Sequence, residues 1–187
     1  MSEVPIKELF IEKARLAGAV VRKCFDLSEA VDYLISIADG PVALPDFHSS
    51  RHHGLAARLE SESRPLLTDN LRPAIPNAAV GITGANFGIA ETGTVVLEST
   101  AEDIRMASSM PPKHIVLLDQ RKILRTSLEA NPLLRRFQKD KTASYLAYIT
   151  GPSRTADIER VLTVGVHGPK ELHILLMRDF CDDPMKM

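Results

Sequence analysis

Hydrophobic positions along the chain switch repeatedly between helical and strand spacing, and that alternation predicts the architecture. Leu9, Phe10, Ala14, Leu16 and Ala17 recur at helical spacing with Lys and Glu between them, which predicts an amphipathic helix within a helical segment of about residues 1–17. Gly18–Cys24 is a β-branched run and reads as a strand. Asp26 and Ser28 offer caps for a helix through Ala30, Val31, Leu34, Ile35 and Ile37 that stops at Gly40. Pro41–Pro45 reads as a short strand bounded by prolines. Asp46–Asn77 is polar and broken by Pro65, Pro73 and Pro76, so it predicts a short helix around Gly54–Glu60 and then an irregular loop.

Ala78–Thr83 and Thr92–Leu97 predict strands, the second with the strongest β-branched signal in the chain. Ala101–Ala107 predicts a helical turn. His114–Asp119 is the near-continuous apolar run of a buried parallel strand. Lys122–Phe137 reads as helical, with Pro132 starting a second helix or kinking the first. Ser144–Ile149 predicts a strand, Thr155–Leu162 a short helix, and Glu171–Met177 the strand that closes the sheet. Strands alternating with helices, several apolar on both faces, predict a single three-layer α/β domain over residues 1–187 with a largely parallel sheet.

Composition narrows the function classes. The 23 basic and 24 acidic residues nearly cancel, so no electrostatic footprint for a nucleic acid or an anionic membrane exists. Trp is absent, which removes the best base-stacking side chain. No apolar run reaches the length of a membrane span, and the mixed-charge N-terminus lacks a signal-peptide core, so a cytoplasmic protein is expected. Cys24 and Cys181 cannot supply the four thiolates an iron–sulfur cluster normally needs, so no such cofactor is expected on this chain.

Seven of the ten glycines fall in 81–93 and 151–168, and that clustering points to the candidate chemistry. The first segment follows a predicted strand, at the end where open α/β sheets collect ligands. Its spacing is neither the dinucleotide fingerprint nor a Walker A loop. Thr83, Gly84, Thr92 and Gly93 are its candidate ligand-binding residues. Glu91 is a candidate base or nucleophile if burial raises its pKa, or else a turn cap or ion-pair partner. The second segment reads as strand, loop, helix, an arrangement that presents N–H groups to an anion. There Gly151, Ser153, Arg154, Thr155 and Asp157 are candidates. Arg154 either clamps a carboxylate or phosphate or pairs with Asp157 or Glu159; Ser153 or Thr155 either binds the anion or caps the helix. His167, between two glycines, is a candidate general base or ligand, or hydrogen-bonds its own loop. His48, His52 and His53 hold an i,i+4 pair but no third ligand is evident, so no metal site is expected. His114 and His173 read as core or edge residues.

The strings GITGANFGIAETGTVVL (81–97), PPKHIVL (111–117), ITGPSRTADIE (149–159) and GVHGP (165–169) closely resemble the lactate-utilization (LUD) domain. The likeness runs from about Ala78 to Met177. It implies a fold similar to that of the ribose-phosphate isomerases, glucosamine-phosphate deaminases and coenzyme A transferases. It also implies a part in oxidising L-lactate to pyruvate with two partner proteins, the A- and B-type subunits, one or both carrying iron–sulfur clusters. In the related coenzyme A transferases a glutamate near a glycine is the nucleophile, and Glu91-Thr92-Gly93 looks similar at the level of fold analogy.

Three functions stand as expectations. In the first, the two glycine segments face each other around a small carboxylate or phosphate ligand, with Glu91 and His167 moving protons. In the second, the chain is a non-catalytic accessory subunit whose loops contact the iron–sulfur partner; an exposed apolar patch beside the loops would mark it. In the third, it is a stand-alone phosphosugar isomerase or coenzyme A transferase-like enzyme.

Overall fold

The computed structural model describes residues 4–62, 64–139, 144–156, 162–164 and 167–187. The chain runs α1 (Ile6–Leu16), β1 (Val20–Cys24), α2 (Leu27–Ile37), β2 (Val42–Ala43), α3 (His48–His52), α4 (Leu55–Ser61), β3 (Leu66–Leu67) and α5 (Leu71–Ala74). It continues through β4 (Val80–Gly84), β5 (Phe87–Ile89), β6 (Thr94–Glu98), α6 (Glu102–Ser109), β7 (Lys113–Asp119) and β8 (Ile123–Leu124). It finishes with α7 (Asn131–Lys139), β9 (Leu146–Ile149), β10 (Arg154–Ala156), β11 (Leu162–Val164) and β12 (Glu171–Met177). Asp26 caps α2 as its side chain predicts, accepting the Glu29 N–H at 3.0 Å.

Six strands form one parallel sheet in the order β1-β12-β7-β4-β2-β3. The mixed α/β architecture and its parallel sheet therefore match the sequence reading. Leu27, Val31 and Leu34 of α2 and Leu55 and Leu59 of α4 bury against Val80, Ile82, Ile115, Leu117 and Leu175 on one face. Phe10, Ile11 and Ala14 of α1 bury against Val116, Leu118, Ile174 and Leu176 on the other. With both faces covered, the central strands need no polar alternation, and β4 and most of β7 are buried along their length. A second sheet, β8-β5-β6-β9, packs Val95 and Ile123 into the α1 cluster. No described helix is long and apolar enough to cross a membrane.

Three expectations change. Lys122–Phe137 is not one helix: Ile123 and Leu124 pair with Gly88 and Ile89 as β8, and the helix starts only at Asn131, beside Pro132. The two ends of the helix expected over Thr155–Leu162 lie in strands instead: Arg154–Ala156 and Leu162–Val164 pair antiparallel, and residues 157–161 fall outside the described residues. The stretch after His48 is less irregular than its prolines suggest, since α3, α4, β3 and α5 all form within it. Strand β12 joins the sheet from within, inserting between β1 and β7.

Candidate functional site

Two glycine turns and the end of one helix build a cleft beside the amino ends of the central strands. After β9 the chain turns at Gly151, where φ is 75°, and at Pro152. A second turn at Gly168 and Pro169 leads into β12. Ser153 ties the turns together: its N–H donates to the Pro169 carbonyl at 2.9 Å and its hydroxyl to the His167 carbonyl at 3.0 Å. With Ser108 and Ser109 from α6, and with Tyr148 and Thr150, they enclose about 290 Å³.

His114 and Leu172 also line this cleft. His114 is fully buried on β7, directly across from Gly81 of β4. Gly81 lets α6 lie on the backbone there, because a Cβ would sit 1.9 Å from the Ala107 carbonyl oxygen. His114 Nε2 and the Thr83 hydroxyl share a 2.9 Å hydrogen bond. Its Nδ1 is buried and has no partner among the described residues. Burial drives its pKa from 6.5 down to about 3, so the ring is neutral. A neutral imidazole engaged at Nε2 presents either an N–H or a lone pair at Nδ1, according to how Thr83 orients its proton. An orphaned buried polar atom costs about 1–3 kcal/mol.

The predicted site residues divide between this cleft and other places. Gly151, Ser153 and His167 line it. Thr83 stands behind it through His114. Thr92 reaches it through hydroxyls: Thr92 to Thr94 at 2.7 Å, then Thr94 to Thr150 at 2.7 Å. Glu91 is exposed on the β5–β6 turn and accepts the Ser127 N–H at 2.7 Å; hydrogen bonding from the Ser127 side chain and then its N–H holds the carboxyl below the ordinary range. Gly93 packs on α1, where a Cβ would lie 2.1 Å from the Ala14 nitrogen. Gly84 lies at the carboxyl end of β4, against Phe47 and Met187. Arg154 donates to the Ala17 carbonyl at 2.6 Å, so its guanidinium sits on the C-terminal end of α1, where a cation is favourable. The backbone of Thr155 lies in β10, and Asp157 falls outside the described residues.

His114 is the residue that spacing alone passed over. The available signal is a histidine inside an apolar strand, opposite a glycine on the neighbouring strand. At the other end of the sheet, His48 and His52 stack with ring centroids 6.1 Å apart, and the His53 Nε2 pairs with the Phe180 carbonyl at 2.7 Å. No group of metal-ligating side chains occurs among the described residues.

A parallel sheet covered on both faces, with a cleft at the amino ends of its strands, defines an α/β domain. The chain belongs to the LUD domain family, whose model matches residues 7–177. It is 34% identical over 153 residues to lactate utilization protein C of Bacillus subtilis (strain 168), covering 75% of this chain and 63% of that protein. The chain thus spans less than two thirds of that relative's length. Lactate utilization protein C of Geobacillus kaustophilus (strain HTA426) is 31% identical, with 89% of this chain and 70% of that one covered. A crystal structure of a DUF162 family protein from Deinococcus radiodurans shares the fold, with a TM-score of 0.69 at 21% identity, over 95% of this chain and 99% of the other.

Proposed function

We propose that this chain is a component of a system that oxidises L-lactate to pyruvate, and that its cleft binds a small 2-hydroxy or 2-oxo carboxylate. The observation that carries the ligand is the orphaned Nδ1 of neutral His114, a residue that lines the cleft together with Ser153 and Thr150. Such a nitrogen pairs with a hydroxyl in one proton arrangement and a carbonyl or carboxylate oxygen in the other. The names of the relatives supply the metabolic setting. In this reading iron–sulfur clusters belong to A- and B-type partner subunits, and electron transfer happens there.

The test is calorimetric titration of lactate and pyruvate into the wild-type chain and into His114→Phe. Binding to the wild type and at least about tenfold weaker binding to the variant is expected, the scale of one buried hydrogen bond. Equal binding by a folded variant removes His114 from the site.

A second reading has its own observation. Tyr148, which lines the cleft, is 50% exposed, and Met110, next to Ser109, is 60% exposed. Apolar surface at the rim suits a partner subunit sealing the cleft. Co-purification with the iron–sulfur partners, lost on Tyr148→Asp with ligand binding intact, favours that accessory role.

A further inference from the structure

The carboxyl ends of the parallel strands, where open α/β sheets collect ligands, are covered in this protein by residues 180–187. This segment is held through its main chain. The Asp119 carboxylate accepts the Phe180 N–H at 2.7 Å and the Cys181 N–H at 2.9 Å. Beyond that anchor, three donors of the sheet end each take a main-chain oxygen of the segment. The Asn86 amide donates to Pro184 at 3.0 Å, the Lys122 ammonium to Lys186 at 3.1 Å, and the Ser49 N–H to Met187 at 2.8 Å. Met187 lies over Gly84, where even a Cβ would approach the Met187 Cβ to 2.9 Å.

Lys122 is the unusual member. It is 4% exposed, yet no ion pair among the described residues includes it. Its other partner is the Ala85 carbonyl at 2.7 Å, so a buried ammonium is solvated by two neutral oxygens. A buried cation without a counter-charge is costly, and an anion in direct contact is what relieves it. Burial accordingly lowers the Lys122 pKa, with Asp119, Asp182 and Asp183 acting only from a distance. The Ala85 and Lys186 carbonyls satisfy the hydrogen bonds of Lys122 but not its charge.

We infer that Lys122, the Asn86 amide and the Ser49 N–H form an oxyanion-binding site for a phosphate or carboxylate group, and that residues 184–187 occupy it as an internal substitute. The segment and the anion then compete. Binding the anion releases the segment, and loosening the segment strengthens anion binding. This site is separate from the cleft at His114, on the opposite edge of the sheet, and does not depend on its ligand.

Hydrogen exchange on the full chain tests the proposal, with inorganic phosphate and then acetate as probes at constant ionic strength. Phosphate or acetate is expected to speed exchange of the 185–187 amides in the wild type, and the more effective probe identifies the oxyanion class. Lys122→Met, which keeps the apolar stem, is expected to abolish the response. In Met187→Gly, which removes the side chain over Gly84, the probe is expected to bind at least tenfold more tightly by calorimetry. Exchange that ignores both probes overturns the proposal, as does an equal response in Lys122→Met. Retention of lactate or pyruvate binding in Lys122→Met separates this outcome from failure of the cleft.

Discussion

Substituting His114 by Gln should flatten the dependence of stability on pH, because His114 is neutral when folded and basic when unfolded. Its pKa is 6.5 in the free side chain and about 3 in the folded protein. Between those values the unfolded chain holds a proton that the folded chain does not. Unfolding therefore takes up a proton in this window, and the contribution of a neutral His114 is lost as pH falls from above 6.5 toward 3. From roughly pH 7.5 to pH 5 the loss is RT ln[(1 + 10^1.5)/(1 + 10^−2)], about 2 kcal/mol. For a total stability of about 5–15 kcal/mol that is a large fraction. Depressed carboxylates such as Glu91 and Asp119 act at lower pH, since their contributions vanish as pH falls below the ordinary carboxylate range. His48, pushed down by desolvation and by Lys186, titrates in both proteins and cancels in the comparison. Gln keeps a polar partner for Thr83 and carries no titrating group. Urea unfolding followed by circular dichroism reads the difference. With an m-value of about 2 kcal/mol/M, the wild-type midpoint should fall about 1 M further than the variant's across that pH interval. Parallel midpoints, agreeing within about 0.25 M, would refute the reasoning, because the imidazole would then be titrating freely.

Two further substitutions probe the glycine turns. Gly93→Ala imposes a side chain at φ 67° and a Cβ 2.1 Å from the Ala14 nitrogen, so a loss of at least about 2 kcal/mol is expected in the same urea assay. Near-wild-type stability would mean that α1 shifts freely on the turn. Arg154→Ala removes the cation from the end of α1 and should cost about 0.3–1 kcal/mol, screened by salt, while leaving pyruvate binding in place. Loss of pyruvate binding with unchanged stability would return Arg154 to the role of anion clamp.

Sequence features were legible wherever local signals agree with tertiary context. The β-branched Thr94–Leu97 run, the apolar β7 and the Asp26 cap each fold as their chemistry dictates. The misreadings sit where a partner strand overrides local preference. Ile123 and Leu124 share helical spacing with the residues of α7, yet Gly88 and Ile89 lie ready to pair with them. Thr155, in a stretch with helix-start chemistry, is drawn into a ladder with Thr163. Phe87–Ile89, three residues with Gly88 at the centre, is too short to register as a strand by itself. Of the site, Gly151, Ser153 and His167 were legible because turns announce themselves through glycine and proline. His114 and Lys122 were not, since a lone polar residue gains meaning only from the elements that fold across it. Gly93 sits in a turn that packs on α1, and the Glu91 carboxylate accepts the Ser127 N–H.

The position of β12 bears on how the protein is made. β1 is an edge strand whose single neighbour in the sheet is β12, so Val20 must wait for His173. During synthesis the ribosome releases β2, β4 and β7 well before the strand that joins β7 to β1. The first strand, with α1 and α2 around it, stays without its ladder partner until almost all of the domain has emerged. Loop closure across that span is slow relative to local structure. An early nucleus built on β4 and β7, followed by late capture of the amino-terminal segment by β12, is the assembly order that this topology imposes.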